Sequence, residues 1–192
     1  MKPRHQSTLG LVLHRYPNTE KDTSLIILSQ DLGKINCLAK NTLHPRSRRR
    51  GHLQIGNILR LELYQLGNIY LITETKTIST FSRHPLTELQ SNLLFLFAEN
   101  VNHLTPPAQA DPFLFELCLR FIDSINHSNQ QDFLANEIDL VSHFGYGPPS
   151  DISTLYRGNR LRLTQQHLYR YIESIISRPL QTKKLLFDQP PK

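Results

Sequence analysis

The sequence predicts an α+β protein in which a five-stranded β-barrel of the OB type is followed by an α-helical domain. Two observations carry this prediction. Apolar residues alternate with polar ones in short runs over the first 80 residues, whereas from about residue 84 they recur at three- and four-residue steps. The predicted domains are therefore residues 1–80 and residues 81–192.

The strands of the barrel are separated by turn residues. Strands are predicted at residues 9–14, 23–30, 34–40, 57–66 and 69–78. Tight turns are predicted at Asp31-Leu32-Gly33 and at Gly67-Asn68, because glycine readily adopts positive φ. Two hairpin pairs with a longer break between the third and fourth strands favour an OB barrel, and an SH3-like barrel remains the alternative.

The second half of the chain has helical periodicity. One helix is expected within residues 84–104, and a second begins at Pro112 with Asp111 as its N-cap. A third is expected at residues 131–147. Residues 147–163 are expected to form a loop, after which Thr164 caps a helix over residues 165–178. A last short helix is expected within residues 180–187.

Positive charge is concentrated in the predicted barrel. The net charge is +6, but residues 1–80 carry 12 Lys and Arg against 5 Asp and Glu, whereas residues 81–192 carry 10 against 11. Residues 44–52, with the sequence HPRSRRRGH, contain four arginines, and no acidic residue occurs between Asp31 and Glu62. Such asymmetry indicates that the first domain meets a polyanion.

The arginine-rich segment is predicted to be a loop that binds phosphate. Arginine remains charged at every relevant pH and offers a planar fork of donors that matches phosphate oxygens. The candidate DNA-binding residues, including outward-facing cations of the strands, are Lys34, Lys40, Arg46, Arg48, Arg49, Arg50 and Arg60. Tyr16, Tyr64 and Tyr70 are candidates for stacking on bases. A merely solvated loop and a nuclear localisation signal are the alternatives.

The sequence favours a binding protein over an enzyme. None of the nine histidines forms HxH, HxxxH or HExxH, and no phosphate-binding or nucleophile motif is present. Cys37 and Cys118 are predicted to be buried thiols in a reducing cytosol. No apolar run approaches the roughly 20 residues of a membrane span, and no signal peptide is expected. No metal or cofactor is expected.

Three stretches resemble the RecO family of bacterial recombination mediators. TSLIILSQDLGKINCLAKN followed by the arginine-rich segment and LQIGNILRLELYQLGNIYLITE resembles its OB domain. FLANEIDLVSHFGYGP resembles a helix of its helical domain, and ISRPLQTKKLLF resembles its C-terminal segment. The resemblance covers roughly residues 8–187 in the same order.

The resemblance implies a non-enzymatic DNA repair and recombination factor of the bacterial cytoplasm, associated with the nucleoid. It implies binding of single- and double-stranded DNA, annealing of complementary strands, and loading of RecA with the partner RecR onto DNA coated with single-strand-binding protein. The acidic, Phe-ending C-terminal tail of that protein would meet Arg178, Lys183, Lys184 and Phe187. The alternative to this partner site is an ordinary amphipathic helix end. The alternative function is an RNA-binding OB protein of translation or the ribosome, and a hydrolase with an unrecognised site is a further one.

Two features depart from the family pattern. Asn41 stands where the family usually has glycine after the third strand, and asparagine tolerates the left-handed conformation better than most residues. The four-cysteine zinc module that many members carry is replaced here by PPSDISTLYRGNRLRLT. No zinc is therefore expected.

Overall fold

The structure is a computed structural model that describes residues 5–43, 49–81 and 85–187. The chain divides into two compact units. The first comprises Met1–His84 and Thr105–Phe115, and the second comprises Pro85–Leu104 and Glu116–Lys192. The domain bounds of 1–80 and 81–192 remain a prediction, but the first unit includes a segment that lies far along the chain.

The first unit contains a closed five-stranded barrel. Its strands are β1 His5–Pro17, β2 Thr23–Ser29, β3 Gly33–Ala39, β4 Ile58–Leu66 and β5 Ile69–Ser79. Their order around the barrel is β1-β2-β3-β5-β4, and β1 closes it by pairing antiparallel with both β2 and β4. The pairing of β3 with β5 is parallel. The predicted fold class, an OB-type barrel followed by helices, is confirmed over the SH3-like alternative.

Alternation of side chains fills the barrel. The alternation on β3 and β4 predicts one inward face on each strand, and its residues belong to the barrel core: Ile35, Cys37, Ala39, Leu59, Leu61 and Leu63. Strand β1 lacks this simple alternation of apolar and polar residues. Val12 belongs to the barrel core, and Gly10 lies on the same inward face. A Cβ atom on Gly10 would lie 2.6 Å from Ile27 Cγ2 and 2.8 Å from Leu61 Cδ1. The barrel core consists of Val12, Leu25, Ile27, Ile35, Cys37, Ala39, Leu53, Leu59, Leu61, Leu63 and Ile72.

Both cysteines are buried free thiols, as the sequence predicted. Burial raises the pKa of the Cys37 thiol to about 12, because the low-dielectric core disfavours the thiolate. Since the thiolate is the reactive form, Cys37 is a packing residue of the barrel.

Residues 107–109, which lie about 70 positions further along the chain, pack against β3. The Ala108 amide donates to the Lys34 carbonyl at 2.9 Å, and Lys34 and Pro107 form a parallel bridge. Next to this bridge, Gly33 has a φ of +70°, and a Cβ atom there would lie 2.1 Å from the Gln109 carbonyl oxygen. Pro107 and Ala108 therefore contact β3 at Lys34, and Gly33 permits the close approach of Gln109.

Substitution of Gly33 tests this packing. Gly33→Ala combines a positive φ with a backbone collision, whereas Gly67→Ala has a positive φ of 58° and no atom within 4 Å. We expect Gly67→Ala to cost roughly 1–2 kcal/mol and Gly33→Ala to cost about 1–3 kcal/mol more, measured by urea denaturation. Equal losses in the two variants would contradict the packing of Gln109 on the barrel.

Seven helices occur in the described residues. They are α1 Arg49–His52, α2 Glu88–Leu104, α3 Pro112–Asn126, α4 Gln130–His143, α5 Ser150–Arg157, α6 Leu161–Ile176 and α7 Lys184–Phe187. The predicted cap of α3 is confirmed, because the Leu114 amide donates to Asp111 Oδ1 at 2.9 Å. None of the described helices has the length and apolar character needed to cross a membrane.

Three sequence expectations about these helices are wrong. The expected loop at residues 147–163 contains α5 and the start of α6. Thr164 is not an N-cap: it lies buried in the first turn of α6, and its Oγ1 donates to the Arg160 carbonyl at 3.0 Å. Residues 49–52 of the expected arginine loop form α1.

The second unit has an aromatic core beside a buried polar cluster. The rings of Phe97 and Phe133 lie 4.9 Å and 5.2 Å from that of Phe121. In the polar cluster, Asn100 Nδ2 and the Tyr169 hydroxyl donate to the Glu137 carboxylate at 2.8 Å and 3.0 Å. Burial raises the pKa of Glu137 well above its usual value, and this outweighs the two hydrogen bonds, which lower it.

The raised pKa of Glu137 makes stability depend on pH. The folded state holds the Glu137 proton more tightly than the unfolded state does. The resulting stabilisation of the folded state is therefore greatest below about pH 4.5, and it declines as the pH rises towards the folded pKa. Glu137→Gln removes this titration, and an amide flip would let the otherwise unpartnered Asn100 Oδ1 accept from the new amide. We expect the variant to be at least as stable as the parent at pH 8, with a flatter unfolding free energy between pH 5 and pH 8.

The exposed Glu116→Gln provides the control for this measurement, because surface substitutions usually change stability by less than about 0.5 kcal/mol. A strongly destabilised Glu137→Gln at pH 8 would contradict the assignment.

Candidate nucleic-acid interface

The barrel has two ends that differ in composition. Strand directions place the β1–β2 turn (18–22), residues 40–43 and 49–57, and the last residues of β5 at one end. The other end, here called the hairpin end, carries the β2–β3 turn (30–32), the β4–β5 turn (67–68) and the first residues of β1. The first of these ends, here called the basic end, carries Lys21, Lys40, Arg60 and Lys76, together with Glu20 and Asp22 of the β1–β2 turn.

The chain enters the arginine segment from a fixed position at the basic end. The Leu43 amide donates to the Lys21 carbonyl at 3.0 Å, and the Asn41 amide donates to Asp22 Oδ1 at 2.9 Å. Thr42 Oγ1 donates to Thr23 Oγ1 at 2.6 Å. Asn41 has a φ of 56°, so the left-handed turn that the sequence predicted is present. These bonds hold residues 41–43 against the β1–β2 turn.

The chain leaves the segment at the same end. His52 Nδ1 lies 2.5 Å from Thr77 Oγ1 near the end of β5, and Leu53 is buried in the barrel core. Asn57 ties the following residues down, because its Nδ2 donates to the His52 carbonyl at 2.8 Å and its Oδ1 accepts from the Phe81 amide at 2.9 Å. Both ends of the arginine segment are therefore held by the barrel.

The described cations of the basic end are exposed. Lys21, Lys40, Arg60 and Lys76 all present their side chains to solvent. Arg60 and Lys76 lie opposite each other on β4 and β5, an arrangement of like charges that destabilises a sheet unless an anion compensates it. Glu62 and Glu74 form a further cross-strand pair towards the hairpin end.

The predicted DNA-binding residues separate into groups. Lys40 and Arg60 belong to the basic end, and Arg49 and Arg50 begin α1 there. Arg46 and Arg48 lie outside the described residues. Lys34 lies near the hairpin end, about 20 Å along the strand from Lys40 at ~3.3 Å per residue. The structure therefore does not bring Lys34 together with the arginine segment.

Sequence reasoning missed Lys21 and Lys76. Lys21 precedes the acidic Asp22, and Lys76 lies on a strand that also carries Glu74. A predicted register for the β4–β5 hairpin is the signal that finds Lys76, because counting outward from Gly67-Asn68 brings it near Arg60. No comparable signal identifies Lys21, whose place depends on barrel closure.

The three candidate tyrosines have different environments. Tyr16 is 46% exposed on β1 near the basic end, in the same cross-strand row as Ser24 and Leu38. Tyr70 packs against the barrel core, and the Tyr64 ring lies 4.8 Å from that of His5 at the hairpin end. Of the three, Tyr16 is the ring placed to stack on a base beside the basic end.

The predicted partner-binding residues lie on a segment fixed by two carboxylates. Lys183 Nζ is 2.7 Å from Glu173 Oε2, and Glu173 Oε1 accepts from the Leu180 amide at 3.0 Å. Glu99 accepts from the amides of Gln181 and Thr182 at 2.8 Å and 2.9 Å, and also from the Thr182 hydroxyl. The sequence did not predict this fixation.

Lys183 thus already has an intramolecular partner. Partial burial raises the pKa of Glu173, but the hydrogen bonds from Lys183 and Leu180 outweigh this effect and keep the pKa below its usual value. Arg178 and Lys184 are exposed, and Phe187 is the last residue of α7.

Among the described residues, no group of three or more His, Cys, Asp or Glu side chains is arranged to hold a metal ion.

The fold and the basic end define an OB-barrel protein with exposed cations at one end of its barrel. Comparison with known proteins adds two similarities. Residues 1–81 match the family described as recombination protein O N terminal. The chain is also similar to curated proteins named DNA repair protein RecO, so the resemblance found in the sequence is confirmed.

The relatives come from several bacteria. The protein of Dehalococcoides mccartyi strain CBDB1 is 28% identical over 149 residues, which are 77% of this chain and 59% of the relative. That of Hamiltonella defensa is 27% identical over 152 residues, covering 74% and 62% of the two chains. That of Vibrio cholerae strain O395 is 28% identical over 138 residues, covering 71% and 56%. The matched region thus spans less than two thirds of each of these relatives.

Proposed function

We propose that this protein is a non-enzymatic DNA repair and recombination mediator of the bacterial cytoplasm and nucleoid, which binds single- and double-stranded DNA through the basic end of its barrel. The observation that carries the proposal is the anchoring of both ends of the arginine segment beside Lys40 and Arg60. The curated relatives, which are named DNA repair proteins, support it.

The physical basis of binding is the neutralisation of phosphates. Each phosphate that meets a cation releases condensed counterions, and this release favours binding independently of base sequence. Because residues 41–43 and 52–57 are held by the barrel, the chain on either side of the arginine segment is already ordered, which reduces the ordering cost of binding. Cations that contact phosphates leave base edges available, as annealing of complementary strands requires.

The wider role proposed here follows the family. The protein would anneal complementary strands and, with RecR, load RecA onto DNA coated with single-strand-binding protein. The acidic tail of that protein would bind at Arg178, Lys183, Lys184 and Phe187. Since Lys183 is paired with Glu173 at 2.7 Å, an incoming carboxylate would take the place of Glu173 as its partner.

Removal of the four arginines tests DNA binding. With Arg46, Arg48, Arg49 and Arg50 changed together to Ala, we expect weaker binding of a single-stranded oligonucleotide. If all four contact phosphates, the log–log slope of affinity against salt falls by about 3 units, at ~0.7 per phosphate. Fluorescence anisotropy titrations at several salt concentrations measure the slope. We expect stability to change little, because arginines that bind phosphate from solvent contribute little to it.

The matched control removes four exposed arginines of the second unit, namely Arg157, Arg160, Arg162 and Arg170. It lowers the net charge equally but leaves the basic end intact, so its slope should stay near that of the parent. An unchanged slope in the first variant, or an equal change in both, would contradict the proposal. A matched RNA oligonucleotide separates DNA from RNA binding, because an RNA reader would depend on the 2′-hydroxyl.

Charge reversal tests the partner site. A peptide that ends in acidic residues and Phe should bind the protein, and Lys183→Glu with Lys184→Glu should weaken this binding at least tenfold, because both changes place carboxylates beside the incoming anion. Isothermal titration calorimetry measures the affinity.

Arg157→Glu with Arg160→Glu is the control of equal charge, and thermal melting verifies that each variant folds. Equal peptide affinity in the parent and the Lys183/Lys184 variant would exclude this site.

A further inference from the structure

A groove opens at the hairpin end, away from the arginine segment. Its volume is about 680 Å³, and it lies wholly within the first unit. Its lining includes His5, Asp31, Gln65, Tyr70 and Ala108, and neither lysine nor arginine is among the described residues that form it. The groove is therefore unlike the basic end in charge.

Asp31 is held in a fixed position in this groove. Thr8 Oγ1 donates to Asp31 Oδ2 at 2.7 Å, and Ser29 Oγ accepts from the Asp31 amide at 3.3 Å. Thr8 and Ser29 are themselves buried and lie 2.9 Å apart through their hydroxyl oxygens. A carboxylate fixed in this way repels phosphate, but it accepts hydrogen bonds from the amino groups of bases.

Flat rings and an amide complete the lining. Tyr70 packs against the barrel core, which fixes its ring at the groove, and the His5 ring is supported by Tyr64 at 4.8 Å. The Gln65 side chain lies near the end of β4, where its Nε2 donates to the Gly67 carbonyl at 3.3 Å and its Oε1 can accept from a base. Rings for stacking beside a carboxylate and an amide are the groups that read unpaired bases.

We propose that this groove binds an unpaired base carrying an exocyclic amino group, above all cytosine, of a single strand held at the basic end. This inference rests on the proposed DNA binding. The strands β3 and β4 separate the ends by about 20–30 Å, which is within the span of the 4–16 nucleotides that one OB barrel binds. Cytosine is favoured because its N4 amino group donates to carboxylates, a group that thymine lacks.

Base preference is the property that tests the groove. The affinities of the full chain for oligo(dC) and oligo(dT) of equal length are measured for the parent, Asp31→Asn and Glu74→Gln. Glu74 is an exposed residue of β5 that is not among the groove's lining, so its variant removes the same charge from the same barrel. Phosphate contacts are common to both oligonucleotides and cancel in the ratio of affinities.

We expect the parent to prefer oligo(dC), and Asp31→Asn to reduce this preference by about fivefold or more. Glu74→Gln should leave the ratio unchanged. Gln65→Ala removes an amide from the lining but leaves the Thr8–Asp31 contact in place, and it should also reduce the ratio of the oligo(dC) and oligo(dT) affinities. If Asp31→Asn does not fold, the Gln65→Ala result tests the proposed groove.

Other results would overturn the inference. If Asp31→Asn and Glu74→Gln raise the affinity for both oligonucleotides equally, Asp31 acts only as a repulsive charge. If Asp31→Asn loses binding of a protein partner while the ratio is unchanged, the groove is a protein-docking site. If the parent binds single strands with an arginine-dependent salt slope but has equal affinity for both oligonucleotides, base binding in the groove is contradicted while the proposed DNA binding stands. A parent that binds neither contradicts the proposed function itself.

Discussion

Barrel closure by β1 is the constraint on which the arrangement of the first unit depends. This 13-residue strand pairs with β2 along one part and with β4 along another. A bulge between Val12 and His14 accompanies the pairing with β2 and increases local twist, as barrel closure requires. Because closure fixes every strand direction, it also determines which turns share an end of the barrel. The basic end and the hairpin end are both consequences of this one pairing.

The basic end brings together residues that are distant in sequence. Lys21, Lys40 and Lys76 come from three different connections or strands, and the anchors of the arginine segment reach β5 and the barrel core. Concentrated positive charge is unfavourable by itself. Arg60 and Lys76 are one example, because like charges that face each other across two strands destabilise the sheet. A polyanion relieves the repulsion, which links the fold to the proposed activity. At the other end, Asp31 and the rings of the groove favour bases over phosphates.

Much of the barrel could be predicted from local pattern. Strict alternation on β3 and β4 indicated the inward residues, and turn chemistry identified Gly33 and Gly67. The left-handed Asn41 was indicated by the family resemblance, since the family usually has glycine there. Strand β1 was harder, since apolar residues occupy both faces: Leu11 and Leu13 are buried, yet Val12 faces the barrel core. No local signal distinguishes two buried faces of one strand.

What escaped prediction depends on contacts between distant residues. The contact of Pro107 and Ala108 with Lys34 joins segments about 70 residues apart, and no local pattern in the sequence indicated it. The pairing of Lys183 with Glu173 and the separation of Lys34 from the arginines likewise follow from tertiary structure. Helix α5 escaped notice because it is short, polar and follows two prolines, which are loop signals in a sequence.

The central claim is that a single strand of DNA engages the basic end of the barrel. Amide hydrogen exchange of the full chain, with and without a saturating single-stranded oligonucleotide, tests it most directly. The account predicts that bound DNA slows amide exchange in peptides that contain residues 18–22 and 40–57. Exchange in α3 and α4 should keep the rate of the free protein. Protection confined to the second unit, with no change at residues 18–22 and 40–57, would contradict it.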